Sequence, residues 1–244
     1  MSNLPEGFLD KLKKDTEASI THQSSSGKVT VKQISLKQQK DIISTAVDGV
    51  QGAIGFTKMV NDMILENSDK SDLLIVDKVP ILLKLRKLSL GSDIDVDDEV
   101  LDIDKFIDNI KTIKKTFKET DVVENGSVTL SLRIPSLKEE TKILTRCIAE
   151  ISKKKADKTS DSFGVIYMYE LIKYIERVKV DDDFDLDFAT LKITDRIKVI
   201  ENLPLSVYRK LSAFFNTISA YDAALLTADD KTITIDPAFF DAST

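Results

Sequence analysis

The strongest hydrophobic periodicity in the chain runs from Ile193 to Leu226, ITDRIKVIENLPLSVYRKLSAFFNTISAYDAALL, and it predicts a helical hairpin. Ile193, Ile197 and Ile200 recur at helical spacing. Pro204, whose fixed φ and missing N–H suit a first helical turn, closes that helix and opens the next, with Asn202 as its cap. In the second helix Leu205, Tyr208, Leu211, Phe215, Ile218, Asp222 and Leu225 form one stripe, flanked by Phe214 and Tyr221. A stripe that wide needs more than one neighbour. A second block, Leu73 to Gly91 (LLIVDKVPILLKLRKLSLG), predicts a helix capped by Asp77, with Pro80 in its first turn, Leu82, Leu85 and Leu88 on one side and Gly91 at its stop. Lys84, Arg86 and Lys87 fall toward its C-terminal half, where the helix dipole favours cations.

The remaining pattern alternates between the two periods. Residues 4–20 predict a weak amphipathic helix with Phe8, Leu9 and Leu12 on one side, followed by a polar linker that contains His22. KVTVKQI, from Lys28 to Ile34, has the period of a half-buried strand. Ser35 then caps a long helical segment, Ile42 to Met63, broken or bent where Gly49, Gly52 and Gly55 interrupt it. An acidic linker, Asp93 to Asp104, leads into an amphipathic helix from Phe106 to Phe117. SVTLSLRI, Ser127 to Ile134, is the clearest strand, with the turn signal Asn125-Gly126 before it and a partner strand expected near Val122-Val123. Ser136 and Glu139 form a capping box for a helix through Ile151. After a solvated loop at 153–162, Phe163, Ile166, Tyr167, Leu171, Tyr174, Ile175 and Val178 predict one long core helix. A second acidic linker, DDDFDLD, precedes the hairpin. The chain closes with TITI, a short strand, and the apolar tail Pro237-Ala-Phe-Phe. No internal repeat is present.

The fold class expected from this order is α+β, mostly helical, with a helical C-terminal half. One small antiparallel sheet should join the strands at Val29, at Val128 to Ile134 and at Ile233 to Ile235, because no lone strand of such length is stable. The expected organisation is a flexible arm at 1–27, a mixed strand and helix part at 28–135, and a helical part with C-terminal strand and tail at 136–244, together one compact domain. Phe239 and Phe240 would point to opposite sides of an extended tail. They, with Phe214 and Tyr221, are therefore the residues expected to meet a partner protein.

Composition narrows the classes of function. The 244 residues are 42% hydrophobic, enough for an ordinary core. With 35 basic and 41 acidic residues the net charge is −6, so no nucleic-acid partner is expected. No apolar run reaches membrane-spanning length and no signal-peptide core is present, so no membrane partner is expected either. A single cysteine, Cys147, excludes an internal disulfide, and its helical context suits a buried thiol.

Catalytic chemistry finds little footing. One histidine in a linker and one cysteine in a helix are a poor nucleophile and base pair, and two such residues cannot make a structural zinc site. Asp93-x-Asp95-x-Asp97 copies the first three ligand positions of a calcium loop. Its sixth position, however, is Asp98 rather than glycine, and its twelfth is Asp104 rather than glutamate. Asp181, Asp183 and Asp185 match less well, with Leu186 sixth and Lys192 twelfth. No phosphate loop, dinucleotide fingerprint or nucleophile elbow occurs. No catalytic residue, metal ligand or cofactor is assigned.

Three stretches carry a family likeness: the strand running into a helix in KVTVKQISLKQQKDIISTA, the block LLIVDKVPILLKLRKLSLG, and FGVIYMYELIKYIERV followed by IENLPLSVYRKLSAFF. In this order they resemble the baseplate hub and hub-assembly proteins of T-even-type contractile-tailed phages, over about Lys28 to Leu226. Where many relatives carry a cysteine-bearing segment after the arginine block, this chain has its first acidic linker. The resemblance implies a mixed, mostly helical fold and a structural or assembly role in the tail. It implies other tail or baseplate proteins as partners, assembly in the host cytoplasm with a possible place in the tail baseplate, and no enzyme activity. A metal-binding or enzymatic domain using the acidic runs is the alternative.

Overall fold

A computed structural model describes residues 5, 7–8, 11, 18–45, 49–96, 99–153 and 159–241. Expectations on Leu9, Leu12, Ala46, Asp97, Asp98 and residues 154–158, and on the side chain of Phe163, fall outside the described part. The polar stretch read as the end of an arm is a strand, β1 (Ser19–Ser24), paired antiparallel with β2 (Gly27–Lys32) so that His22 lies opposite Val29. The inward residues of β1 are Ile20, His22 and Ser24, and with one apolar group among them the strand shows no apolar alternation.

Ser35 caps α1 (Leu36–Ser44) in a reciprocal box: Gln38 N donates to Ser35 Oγ at 3.2 Å, and Ser35 N donates to Gln38 Oε1 at 2.9 Å. A separate helix, α2 (Gly49–Asn67), follows, and it runs unbroken through Gly49, Gly52 and Gly55, so α1 ends ahead of the glycines and not at them as expected. A 3-10 turn at Ile75–Asp77 feeds α3 (Lys78–Leu90), which ends at Gly91 with φ +97°. Ile81, Leu82, Leu83 and Leu85 are fully buried and cover more than half of the circumference of α3, leaving one side to Lys84 and Lys87. An apolar face this wide needs several neighbours, and α3 has α2, β1 and the C-terminal elements around it.

The first acidic linker folds into a hairpin, β3 (Asp93–Val96) with β4 (Glu99–Asp102), and Asp102 caps α4 (Ile103–Thr112) by accepting from Asp104 N at 2.9 Å. β5 (Thr120–Asn125) pairs with β6 (Val128–Arg133) as the turn signal suggested, one residue later than expected. Asn125 faces Val128, and the loop is Gly126-Ser127 with Gly126 at φ +60°. The Ser136–Glu139 box caps α5 (Leu137–Lys153), and α6 (Thr159–Ile172) follows.

The expected long core helix stops at Ile172. Ile175 to Val180 is instead a strand, β7, and the second acidic linker supplies a turn and β8 (Phe184–Asp187). The sheet is a four-stranded antiparallel one in the order β5-β6-β7-β8. β-branched Ile175, Val178 and Val180 suit a pleated surface, and Val178 pairs with Leu130 in the core, which outweighs the helical spacing.

The hairpin of helices is present as α7 (Ile193–Glu201) and α8 (Leu205–Leu225), but Asn202 ends α7 and Pro204 occupies the cap of α8. β9 (Thr227–Ala228) and β10 (Lys231–Thr232) turn through Asp229 and Asp230, both at positive φ. Ile233 and Ile235 lie beyond that short pair and join no larger sheet. The described residues thus hold several small antiparallel sheets where one was expected, and β2 and β6 lie in different ones. The fold is α+β with helix in the majority, and strand extends into the C-terminal half. One apolar cluster links Val29 to Phe240.

Candidate interaction surface

Phe214, Tyr221, Phe239 and Phe240, the four aromatics expected at a partner contact, are all buried within the chain. The tail is not extended. Pro237–Phe240 is a 3-10 turn whose Phe239 N–H donates to Asp236 Oδ1 at 3.1 Å. In that turn the two rings meet edge to face, centroids 5.1 Å apart, instead of diverging. Phe240 also lies 6.2 Å from the Phe56 ring, and Gln39 Nε2 donates to its carbonyl oxygen at 2.7 Å. Tyr221 packs edge-on against Phe117, and Phe214 against Tyr174. The buried stripe of α8 is Val207, Leu211, Phe214, Ile218, Tyr221 and Leu225. Rotated from the expected stripe, it leaves Leu205 exposed.

Charge is organised inside the core, around Glu140. Its Oε2 accepts from Lys78 Nζ at 2.6 Å and Asn61 Nδ2 at 2.8 Å, and its Oε1 accepts from Lys173 Nζ at 2.8 Å. Lys173 also pairs with Glu170 at 2.7 Å and lies over the Tyr174 ring. These contacts tie α2, α3, α5 and the end of α6 together through one carboxylate. Burial alone would raise the Glu140 pKa, but the two ammonium groups outweigh it and hold the group well below the usual carboxylate range. Lys173 is correspondingly held above the usual lysine range despite its burial. Asp222, partly exposed as a residue, has its Oδ1 sealed without a hydrogen-bond partner, and burial lifts its pKa to about 7. The sequence carried one sign of this network. Glu140 interrupts an apolar stripe of Leu137, Ile143, Cys147 and Ile151 at helical spacing.

The residues weighed for chemistry are scattered. His22 is buried in β1, not in a linker, with Nδ1 3.2 Å from Lys84 Nζ. Burial, then the charges of Lys84 and Lys115, lower its pKa to about 4. Cys147 is buried in α5, and burial pushes its thiol up to about 12. Among the described residues no three His, Cys, Asp or Glu side chains are grouped so as to hold a metal ion. A groove of about 800 Å³ opens on the outer face of the four-stranded sheet, lined by Ser131, Arg133, Glu139, Glu176, Arg177 and Asp187. Its cations are committed: Arg133 grips Glu139 through both Nη atoms, and Arg177 Nε lies 3.2 Å from Asp185. No helix among the described residues is long and apolar enough to cross a membrane.

The surface does expose large apolar groups. Leu205 is 64% exposed, Phe184 61% and Leu186 38%, with Val122 also exposed on β5. Phe184 and Leu186 lie on β8, in the stretch read as a solvated linker because aspartates outnumber them.

Comparison with known proteins supplies the class: a structural protein of a bacteriophage baseplate. The chain belongs to the family described as T4 bacteriophage base plate protein, whose model matches residues 16–229. That span reaches from just before β1 through the whole of α8. No curated protein and no solved structure matches the chain.

Proposed function

We propose that this protein is a structural or assembly component of the baseplate hub of a contractile phage tail, acting through contacts with other tail proteins and not through catalysis. The observation that carries the reading is the family match over residues 16–229. Its internal chemistry is consistent with that role. The one histidine and one cysteine weighed for catalysis are enclosed, Cys147 as a buried thiol of raised pKa, and the interior carboxylate Glu140 is held by two lysines. Such a protein is made in the host cytoplasm, where tails assemble, and finishes in or at the baseplate. Its partners are other baseplate proteins, with no nucleic acid and no membrane.

Co-expression with the other tail proteins of the phage that encodes it, followed by size-exclusion chromatography, tests this reading. Stable co-elution with at least one of them is expected. Elution of every pairing as separate species, with this chain at its own 27.3 kDa, would reject it.

A further inference from the structure

β8 is the outermost strand of the four-stranded sheet, and among the described residues β7 is its one strand partner. In an antiparallel strand every second residue turns its N–H and C=O away from its neighbour, so an edge strand offers a template for another chain. The side chains of β8 extend that template. Val123, Leu130 and Val178 form a row across the inner face that continues to Leu186. Asn125, Val128 and Val180 form the next row, which continues to Phe184. Both rows end in an apolar side chain open to water. The other sheet edge differs, since α8 packs against β5.

Charge selects what can lie there. Between Ile175 and Asp187 six carboxylates, Glu176, Asp181, Asp182, Asp183, Asp185 and Asp187, stand against two cations, Arg177 and Lys179, which both lie against Asp185, so two cations less six carboxylates leave the segment a net charge of −4. A second copy of β8 is a poor occupant. An antiparallel pair that keeps Phe184 and Leu186 on a shared face must set Asp185 against Asp185 or against Asp187, and opposed like charges destabilise a strand pair. A strand that alternates apolar with basic residues satisfies both demands. Its apolar side chains cover Phe184 and Leu186 while its cations meet the aspartates on the opposite face.

We infer that β8 is a docking edge, and that it takes an extended segment of another protein with alternating apolar and basic residues, added antiparallel or parallel as a fifth strand. This rests on the reading of the chain as a protein that works by contact, and it names the surface and the partner's chemistry.

The test uses the full chain and a fluorescein-labelled peptide, Lys-Val-Lys-Val-Lys-Val, followed by fluorescence anisotropy at low salt. Saturable binding is expected, with loss on N-methylation of alternate residues and loss with the Glu-Val counterpart. The double variant F184S/L186S, altered only at exposed positions, should bind about tenfold more weakly while melting like the parent. Hydrogen exchange on the unaltered chain gives a second readout, with slower amide exchange at residues 184–187 in the presence of the peptide. Equal binding of the N-methylated peptide, an unchanged affinity in the double variant, or no protection of β8 overturns the inference. Since no phage component enters the assay, such a result leaves the baseplate reading standing. Failure to co-elute with tail proteins, in turn, leaves the peptide result intact.

Discussion

At the scale of single residues, Glu140 is the acceptor on which the interior charges depend, because removing its charge leaves buried Lys173 and half-buried Lys78 against a weaker acceptor. Glu140→Gln should lower stability by about 3 kcal/mol or more in chemical denaturation, and Glu140→Gln with Lys173→Met should recover part of that loss. Asp222 and His22 act in opposite directions on acidity. The folded Asp222 pKa, about 7, lies above its ordinary value of 3.8. The folded state therefore holds the extra proton between those values, and stability falls as pH rises through that window. Asp222→Asn should raise the melting temperature at pH 8 and change it little at pH 4. His22 is the reverse case: its folded pKa, about 4, lies below 6.5, so its contribution is complete above pH 6.5 and is lost as pH falls toward 4. His22→Gln should flatten the acid limb of a melting-temperature profile over that range, and an unchanged limb would show that the imidazole is open to solvent. The burial of Cys147 could be anticipated from a single thiol in an apolar helix. The Glu140 network could not, because an acid on an apolar stripe does not reveal which lysines from distant segments will reach it.

At the scale of elements, local signals held where the local chemistry decides the outcome. The capping boxes at Ser35 and Ser136, the Gly91 stop and the hairpin ahead of Val128 are all set by hydrogen bonds or φ angles within a few residues. Expectations failed where partners far along the chain decide. Tyr174 to Val178 fits a helical stripe by spacing, yet the segment is drawn into a strand by Leu130 and its neighbours. The acidic stretches were taken for linkers because the short strands they supply, in two separate sheets, carry many acids and only two or three apolar groups each. The tail failed for a geometric reason: opposite-facing rings follow from an extended backbone, and a 3-10 turn removes that premise. Phe240, fully buried against Phe56 and Phe239, should now be a core position. Phe240→Ala is expected to cost about 3 kcal/mol or more, or about 8 °C in melting temperature for a chain of this size. Leu211→Asp, at the centre of the buried stripe of α8, should cost at least as much, since it puts an unpaired charge there. Parent-like melting in either variant would mean that the stripe or the tail turns outward.

At the scale of the whole molecule, the chain buries one charged network and most of its aromatic rings, and two of its exposed apolar groups, Phe184 and Leu186, stand together on one edge strand. The α+β class and the baseplate family were both legible in the order of strand, helix and proline-led hairpin, a pattern spread over most of the chain. Which large apolar groups are exposed was not, because exposure is a property of packing: Phe214, Tyr221, Phe239 and Phe240 have the composition of interface anchors and are buried, whereas Phe184 and Leu186 sit among aspartates and are open. A component needed for baseplate construction should be missed at one defined step. The most direct measurement is therefore to disrupt this gene in the phage that encodes it and to image the lysate by electron microscopy. The expected result is filled heads without baseplates or attached contractile tails, restored when the intact chain is supplied from a plasmid. Normal tails with complete baseplates and an undiminished titre would contradict a role for this protein in building the baseplate.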